Sequence, residues 1–382
     1  MKKLIAASLS TALLFTSSWA LAEGTAGFVP PAPDIAGKAY IVNDFYSGQT
    51  LASRDPNTRI EPASLTKLMT AYLTFKAIKE GRLKGEQMLQ PSEKAWRTEG
   101  SRMFLDLRTP VSVNDLMRGM IVQSGNDACV TLAEAIGGSE EVFAQMMNRE
   151  AKRLGMTGSN FTNSTGLPDP NLYMTVRDLG ILSGALIHDY PEFYPIYSMK
   201  EFTYNKIKQP NRNLLLYRDP SVDGLKTGHT ASAGFNLVSS AKRDDRRVIS
   251  VVVGTTSPEA RAVESSKLLN YGLQFFDTPR LYQANQSVST LRVYKGDAND
   301  VNVGFADDVY VTVPKGAASR IKVSMTSTQP LIAPVKQGQA VGKLTLTLDG
   351  KVITERPVVA LKTVDEGGFF SRLIDTIKLW FA

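Results

Sequence analysis

Three short motifs that could supply acyl-transfer chemistry occur in order along the chain. They are Ser-Leu-Thr-Lys at 64–67, Ser-Gly-Asn at 124–126 and Lys-Thr-Gly at 226–228. Each alone is a weak signal, because patterns of three or four residues recur by chance in a long chain. Together they supply a nucleophile, its base, a proton relay and a cation that binds an anion, which predicts nucleophilic catalysis by Ser64.

The spacing within the first motif predicts how Ser64 is activated. Pro62 suits the first turn of a helix and Gly81 suits its end, so Ser64 and Lys67 should lie one turn apart on one helix face. A lysine accepts the serine proton only as the neutral amine, which requires burial or a nearby positive charge to lower its pKa. We expect Lys226 to be that second cation, with the positive end of the helix beside the developing oxyanion.

The histidine content favours a lysine base over a Ser-His-Asp triad. The chain has two histidines: His188 lies where a surface helix is predicted to end, and His229 directly follows the third motif. Neither lies in a Gly-x-Ser-x-Gly context, the sequence typical of one class of triad hydrolases. Cys129 is the only cysteine, which excludes an intramolecular disulfide and predicts a buried, unreactive thiol.

The first 22 residues predict an exported protein. Lys2 and Lys3 precede an apolar run over 4–15, and Ala20-Leu21-Ala22 suits a cleavage site. The apolar run is too short to span a bilayer. Removal of Lys2 and Lys3 lowers the formal charge from +7 to +5, a mild excess that fits a protein near anionic surfaces, without the clustered basic patch that nucleic-acid binding would need.

The rest of the chain predicts an α+β fold in three parts. Residues 23–277 mix helical stretches with hairpins around Ser47-Gly48 and Arg243–Arg246, which predicts an antiparallel sheet flanked by helices that carry the motifs. Residues 278–366 contain strand after strand, with the strongest hairpin signal at Asp349-Gly350. This second part predicts a small all-β domain for spacing or partner contact.

The tail over 367–382 predicts an amphipathic helix. Apolar residues recur there at helical spacing, at Phe370, Leu373, Ile374, Ile377 and Trp380. The segment is too short to cross a bilayer, so we expect a helix lying in the interface of a membrane surface. The alternative is a terminal helix docked on the protein's own fold.

At this point the motifs in their context support a resemblance to a known family. The stretches Glu61–Thr70, Gln123–Cys129 and Asp223–Thr230 resemble those of low-molecular-weight penicillin-binding proteins, the D-alanyl-D-alanine carboxypeptidases of the 5/6 type with a β-lactamase/transpeptidase-like catalytic domain. The resemblance extends from the leader to the last residue. It implies an enzyme that removes the terminal D-alanine from peptidoglycan pentapeptides, is inhibited covalently by β-lactams, and works without a metal or cofactor at the periplasmic face of the inner membrane.

The resemblance also implies roles for particular residues. The catalytic residues would be Ser64 as the acylated nucleophile, Lys67 as the general base, and Ser124 and Asn126 as a proton relay that also holds the substrate amide. The substrate-binding residues would be Lys226, Thr227, Gly228, His229 and Arg261. Within this second set, Lys226, Thr227 and Arg261 would bind the terminal carboxylate, and the backbone N–H of His229 would join that of Ser64 in the oxyanion hole.

Three other interpretations remain open at the level of sequence. Ser124 and Asn126 could cap a helix running from Asp127 to Ile136. A serine β-lactamase shares all three motifs, but the best-known type activates water with a glutamate, and no glutamate occurs between Ala151 and Tyr190. A non-catalytic wall-binding scaffold protein could keep the fold, although the intact motif set argues against it.

Overall fold

The structure, a computed structural model, describes residues 28–380. The predicted signal peptide over 1–22 and the last two residues of the predicted tail helix lie outside this range. The described chain forms a mixed catalytic part, a second part rich in strands, and a terminal helix, as the sequence predicts.

The strands of the first part form one main sheet and two small hairpins. In chain order they are β1 Ala39–Asp44, β2 Thr50–Arg54, β3 Met88–Leu89, β4 Val111–Ser112, β5 Glu201–Tyr204, β6 Ile207–Pro210, β7 Val222–Thr230, β8 Gly234–Arg243 and β9 Arg246–Thr255. The main sheet is antiparallel throughout and has the order β2-β1-β9-β8-β7. Both predicted hairpins, β1–β2 and β8–β9, are confirmed. Strand β7, which carries the third motif, lies at an edge of this sheet.

Helices cover both faces of the main sheet. They are α1 Lys67–Lys79, α2 Glu93–Arg97, α3 Val113–Val122, α4 Asn126–Gly137, α5 Glu140–Arg153, α6 Val176–Asp189, α7 Leu215–Arg218 and α8 Pro258–Phe275. Alternate residues of β9 point to opposite faces: Val251 packs in the core with α1 and α3–α6, whereas Val252 packs with α8. The sheet is therefore buried on both sides, which fixes β7 relative to α1 and α4.

The second part is an all-β unit with its own core. Its strands are β10 Phe276–Asp277, β11 Arg280–Tyr282, β12 Ser289–Tyr294, β13 Asp300–Gly304, β14 Val309–Tyr310, β15 Val313–Pro314, β16 Ile321–Ser327, β17 Leu331–Ile332, β18 Ala340–Leu348 and β19 Lys351–Ala360. Six of them form a sheet of order β16-β18-β19-β13-β12-β17. The predicted hairpin at Asp349-Gly350 is confirmed: both residues have positive φ, 51° and 80°, as a tight β18–β19 turn requires.

A buried carboxylate joins the two parts. Asp44 at the end of β1 is fully buried, and its side chain accepts hydrogen bonds from Arg246 Nη2 at 2.9 Å and Thr278 Oγ1 at 2.7 Å. Beside it, Ser47 Oγ lies 2.6 Å from Thr312 Oγ1 of the second part. One acidic group therefore ties the β1–β2 hairpin, β9 and the start of the all-β unit together.

The tail forms helix α9, Phe369–Leu379. Its large apolar side chains are exposed, with Phe369 and Phe370 each 77% accessible. Asp375 on the opposite side is buried and accepts a hydrogen bond from Lys295 N at 2.7 Å. Within residues 28–380 no helix combines the length and apolar character needed to cross a membrane.

The Asp44 junction gives a stability prediction. Asp44→Ala would leave the Arg246 guanidinium, half of a largely buried ion pair, without its partner, so we expect a loss of about 3–5 kcal/mol and a clearly lower Tm by calorimetry. The matched control is Asp34→Ala, because Asp34 is fully exposed and lies 3.6 Å from Arg54. The free energy of unfolding of that variant should lie within about 0.5 kcal/mol of the parent value. Equal Tm values for both variants would contradict the junction's importance.

Candidate active site

Ser64 lies on a tight turn that leads into α1. The turn is a short 3₁₀ helix, Ala63–Thr66, and the α-helix begins only at Lys67. The single helix expected from Ser64 onward is therefore divided, although Gly81 ends the pair with a positive φ of 72° as predicted. Ala63 has a φ of 49°, a strained value for a residue with a side chain.

The buried amine of Lys67 contacts the predicted nucleophile, Ser64, directly. Lys67 Nζ lies 2.9 Å from Ser64 Oγ and donates to the carbonyl oxygen of Thr165 at 2.6 Å. Burial lowers the pKa of Lys67 to about 8, and the positive charge of Arg212 contributes to this shift. The side chain can therefore release its proton near neutral pH and accept that of Ser64 across the same contact.

The loop that supplies the Thr165 carbonyl is anchored on both sides. Glu140 accepts hydrogen bonds from Ser164 N at 3.0 Å and Ser164 Oγ at 2.7 Å, and Thr70 Oγ1 donates to the Ser164 carbonyl at 2.6 Å. Gly166 packs so tightly on the Ser64 turn that a Cβ atom would lie 1.8 Å from the carbonyl oxygen of Ala63. This loop offers the active site a carbonyl oxygen in place of a glutamate.

The second motif places a hydroxyl beside a second buried lysine. Lys226 Nζ donates to Ser124 Oγ at 3.0 Å and to the carbonyl oxygen of Thr227 at 3.1 Å. Burial and the neighbouring charge of Lys67 hold the pKa of Lys226 well below its usual value. Ser124 has a φ of 61°, so its backbone is strained at the point where the hydroxyl meets the lysine.

Asn126 is the first residue of α4, and it does not cap that helix. The N-cap is Gly125, which has no side chain to accept a hydrogen bond, so the interpretation of this motif as a cap is wrong. Asn126 Nδ2 donates to the carbonyl oxygen of Glu99 at 2.6 Å. Its Oδ1 atom is buried, and the described residues offer it no hydrogen-bond donor, which leaves it free to accept one from a substrate amide.

The third motif runs along the edge strand β7, close to the nucleophile turn. A Cβ atom at Gly228 would lie 3.0 Å from the carbonyl oxygen of Pro62, so the missing side chain permits this approach. The exposed ring of His229 stacks on Phe235 at 4.0 Å. The hydrogen bonds among residues 28–380 join Ser64 Oγ to Lys67 Nζ and to neither histidine. His188 lies exposed at the end of α6, bonded to Asp189.

Arg261 is buried beside β7, not exposed at a helix surface. It lies in the first turn of α8, where it donates to the carbonyl oxygen of Gly228 at 3.4 Å. Burial, helped by the charge of Arg212, lowers the pKa of Arg261 to about 10. No carboxylate among residues 28–380 forms an ion pair with Arg261 or with Lys226, so both cations are available to an anionic ligand.

These groups surround one cleft of about 710 Å³. Its lining combines the predicted site residues with an apolar wall, and includes Ser64, Ser124, Thr227, Gly228, His229, Arg261, Ser101, Arg212, Leu214, Tyr217 and Phe235. Lys67 and Lys226 are buried beneath this lining, where they contact Ser64 and Ser124 respectively. All three motifs therefore meet at a single site.

Arg212 is the functional residue that sequence reasoning missed. It lies between β6 and α7, and its Nη1 atom donates to Ser101 Oγ at 2.7 Å. After burial itself, the positive charge of Arg212 contributes to the lowered pKa of Lys67. Lys226, predicted to be the second cation, is close enough to Lys67 for the charge of Lys67 to help lower the pKa of Lys226. No motif marks residues 210–213, so only the fold reveals this contact.

Cys129 has the inert character predicted for it. The thiol is fully buried in α4, and burial raises its pKa to about 12. The thiolate form needed for nucleophilic attack is therefore negligible at neutral pH.

Comparison with known proteins identifies the family. A sequence profile of D-alanyl-D-alanine carboxypeptidases matches residues 26–257, and a profile of the C-terminal domain of penicillin-binding protein 5 matches residues 276–366. The chain belongs to the D-alanyl-D-alanine carboxypeptidase family. It is 43% identical to D-alanyl-D-alanine carboxypeptidase DacC of Escherichia coli K12, over 99% of this chain and 95% of that protein.

Solved structures of this family share the fold described above. Penicillin-binding protein 5 of Haemophilus influenzae has a TM-score of 0.84 at 44% identity, with 89% of this chain and 100% of that one covered. Penicillin-binding protein D2 of Listeria monocytogenes, in its ampicillin-bound form, has a TM-score of 0.59 at 31% identity, covering 64% and 100%. The present chain is thus a serine-type D-Ala-D-Ala carboxypeptidase, and a β-lactamase or a non-catalytic scaffold is not favoured.

The pKa of Lys67 gives a pH prediction. The base works only when neutral, so acylation should slow as pH falls below about 8, to roughly a hundredth of its plateau two units lower. Arg212→Gln removes a charge that lowers this pKa, so the whole curve should move to higher pH. Single-turnover labelling with a fluorescent penicillin between pH 5.5 and 10 measures both curves.

The control for this experiment is Arg177→Gln, at an exposed arginine bonded to Asn57. It should leave the profile unchanged. A labelling rate that does not change with pH in the parent enzyme would mean that Lys67 is not the titrating base. An unchanged midpoint pH in Arg212→Gln would show that Arg212 does not lower the pKa of Lys67.

Proposed function

We propose that Ser64 forms an ester with the penultimate D-alanine of a peptidoglycan pentapeptide and releases the terminal D-alanine. The observation that carries this assignment is the 2.9 Å contact between Ser64 Oγ and the buried Lys67 Nζ, whose pKa is lowered to about 8. Neutral Lys67 accepts the hydroxyl proton as Oγ attacks the carbonyl carbon. The proton then held by Lys67 is relayed through the Ser124 hydroxyl, which accepts a hydrogen bond from Lys226, to the nitrogen of the departing D-alanine as the C–N bond breaks.

The oxyanion and the terminal carboxylate are bound on opposite sides of the scissile bond. The N–H groups of Ser64 and His229 stabilise the negative oxygen of the tetrahedral intermediate. Lys226, Thr227 and Arg261 bind the carboxylate of the leaving D-alanine, and the two cations lack ion-pair partners among residues 28–380. Gly228 permits β7 to lie close to the turn that carries Ser64, since a Cβ atom there would lie 3.0 Å from the carbonyl oxygen of Pro62.

Hydrolysis of the ester repeats the same chemistry with water. Lys67 accepts a proton from a water molecule whose oxygen attacks the ester carbonyl, and the proton then returns to Ser64 Oγ as the C–O bond breaks. A β-lactam follows the first half of this route when Oγ opens its ring. The absence of glutamate over 151–190 argues that the penicilloyl ester is then hydrolysed slowly.

This assignment predicts that Ser64→Ala abolishes both reactions. Release of D-alanine from a peptide ending in D-Ala-D-Ala should fall to background, and intact-mass spectrometry should find no penicilloyl adduct, since the cleft holds no other hydroxyl bonded to Lys67 among the described residues. His188→Ala, at the exposed end of α6, is the control and should retain both reactions. A penicilloyl group mapped to any residue other than Ser64 in the parent enzyme would refute the assignment.

We further propose that the mature protein acts at the periplasmic face of the inner membrane and is held there by α9. The proposed organisation is a signal peptide over 1–22, a catalytic domain over 23–277, an all-β domain over 278–366 and a membrane-surface helix over 367–382. The outward face of α9 carries apolar side chains that are at least half exposed, namely Phe369, Phe370, Leu373, Ile374, Ile377 and Trp380. Such a face suits the headgroup region of a bilayer.

The buried side of α9 is hydrogen-bonded to the all-β unit, so the apolar face of the helix points away from the protein. The Asp375 carboxylate accepts from Lys295 N, and Gly367 N donates to the Lys295 carbonyl oxygen at 2.8 Å. The helix is therefore docked on the all-β unit by its polar side. Docking on the protein's own fold and binding to a membrane, posed above as alternatives, use different sides of this helix.

Deletion of residues 367–382 should therefore release the enzyme from vesicles of anionic phospholipid and leave turnover of a soluble peptide unchanged. The paired substitution Phe370→Glu/Ile377→Glu should have the same effect, because it places two charges on the apolar face. Val352→Glu, which is 59% exposed on β19, is the matched control and should still co-sediment. Equal co-sedimentation of the parent and the deletion variant would show that α9 has no role at the membrane.

A further inference from the structure

Glu61 bridges the two halves of the site, although it belongs to none of the three motifs. It lies three residues before Ser64, and its Oε1 atom accepts a hydrogen bond from Thr230 Oγ1 at 2.6 Å. Its Oε2 atom accepts one from Ser232 Oγ. Thr230 ends β7, and Ser232 lies in the turn between β7 and β8. One carboxylate thus links the segment that precedes the nucleophile to the turn that follows the third motif.

The partners of Glu61 are hydroxyl groups and not basic side chains. No lysine or arginine among residues 28–380 forms an ion pair with Glu61. Both oxygens instead accept hydrogen bonds from hydroxyl groups across 169 and 171 residues of sequence. Hydrogen bonds to an ionised acceptor are shorter and stronger than neutral ones, so Glu61 is well suited to hold two separate backbone segments at a set distance.

The segments that Glu61 joins are the ones that carry the oxyanion hole. The N–H of Ser64 lies on one side of the gap, and the N–H of His229, adjacent to Thr230, lies on the other. Strand β7 is at the edge of its sheet, so on this side no neighbouring strand fixes its position. Gly228 marks how narrow the gap is, since a Cβ atom there would lie 3.0 Å from the carbonyl oxygen of Pro62.

We propose that Glu61 is a positioning residue that sets the separation of the two oxyanion-hole N–H groups by holding the end of β7 against the nucleophile turn. The inference rests on the proposed function, because it takes Ser64 and His229 as the donors. Glu61 is not among the residues that line the cleft, so its carboxylate acts on the two donors only through the segments that it joins. Its loss therefore weakens stabilisation of the tetrahedral intermediate more than it weakens binding of the substrate.

The test compares Glu61→Ala with Glu61→Gln, using a peptide that ends in D-Ala-D-Ala. We expect Glu61→Ala to lower kcat about 10- to 100-fold with KM changed less than about threefold, a smaller loss than removal of a whole oxyanion donor. Glu61→Gln should recover most of kcat, because its amide oxygen can still accept from Thr230. Thr230→Val should also lower kcat, because it removes the hydroxyl that donates to Glu61. Combined with Glu61→Ala it should lower kcat little further, since both substitutions break the same hydrogen bond.

A transition-state analogue separates positioning from a general loss of structure. A peptide boronic acid forms a tetrahedral adduct with Ser64 that places an oxygen between the two donors. Its affinity should fall in parallel with kcat/KM across the Glu61 variants, while their Tm stays within a few degrees of the parent. Glu80→Ala, at an exposed glutamate paired with Arg82, is the matched control and should change none of these quantities.

Two outcomes would overturn the proposal. The first is a kcat within twofold of the parent in Glu61→Ala. The second is a loss of activity that follows Tm and is not restored by Glu61→Gln, because that pattern indicates a merely structural residue. Failure of the proposed function would look different: the parent enzyme itself would then release no D-alanine, or would carry its penicilloyl adduct at a residue other than Ser64.

Discussion

The burial of Lys67 against Ser64 is the interaction on which the rest of the site depends. An ammonium group is costly to bury without a carboxylate partner, and the usual response is a lowered pKa. The structure offers Lys67 Nζ a carbonyl oxygen at 2.6 Å and a hydroxyl at 2.9 Å, and no carboxylate within salt-bridge distance among the described residues. The lack of charge compensation thus favours the neutral amine, the form in which a lysine can act as a base.

The surrounding elements maintain this uncompensated state. The loop that carries Thr165 is fixed by Glu140 and Thr70, so the carbonyl cannot turn away from Lys67 Nζ. Lys226 and Arg212 add further positive charge to the cleft, which disfavours protonation of any one amine. A substrate carboxylate is then the group that restores charge balance, so the electrostatics that activate the base also favour an anionic ligand.

How far the sequence predicted this site depends on where each residue lies in the chain. Ser64 and Lys67 could be paired from their spacing, because a helical turn fixes that distance whatever the rest of the fold does. The contacts of Thr165 and Arg212 could not be predicted, because both residues lie in loops without a motif. The Thr165 carbonyl meets Lys67 across 98 residues of sequence, and the Arg212 side chain meets Ser101 across 111. Pairings of that kind follow from the tertiary structure, which local patterns do not encode.

The same distinction applies to the fold. The Asp349-Gly350 turn and the β8–β9 hairpin were predictable, because turn residues and alternating strands act locally. The extent of α1 was not, since the backbone at Ala63 departs from helical values where Gly166 packs against it. Helix α9 was predicted from its apolar spacing, yet its polar side gave no sign that Asp375 would be buried against Lys295.

Strain at the motif turns explains why the supporting loops matter as much as the catalytic residues. Ala63 and Ser124 both have positive φ without being glycine, at 49° and 61°, which costs of order 1–3 kcal/mol for each. Such values persist only where neighbours leave no alternative. Gly166 closes over Ala63, whereas Ser124 is flanked by Asp127, whose carboxylate accepts from Met103 N at 3.0 Å and from Leu105 N at 3.1 Å.

The Ser124 turn is also tied to the segment that lines the edge of the cleft. Asp127 anchors the segment that presents Ser101 to the cleft, and the Ser101 carbonyl in turn accepts from Asn126 N at 2.7 Å. A change in this segment would therefore relax the strained turn at Ser124 and move its hydroxyl away from Lys226 Nζ. The catalytic geometry is thus a property of the loops that restrain Ser64 and Ser124, and residues outside the motifs have a physical reason to control the rate.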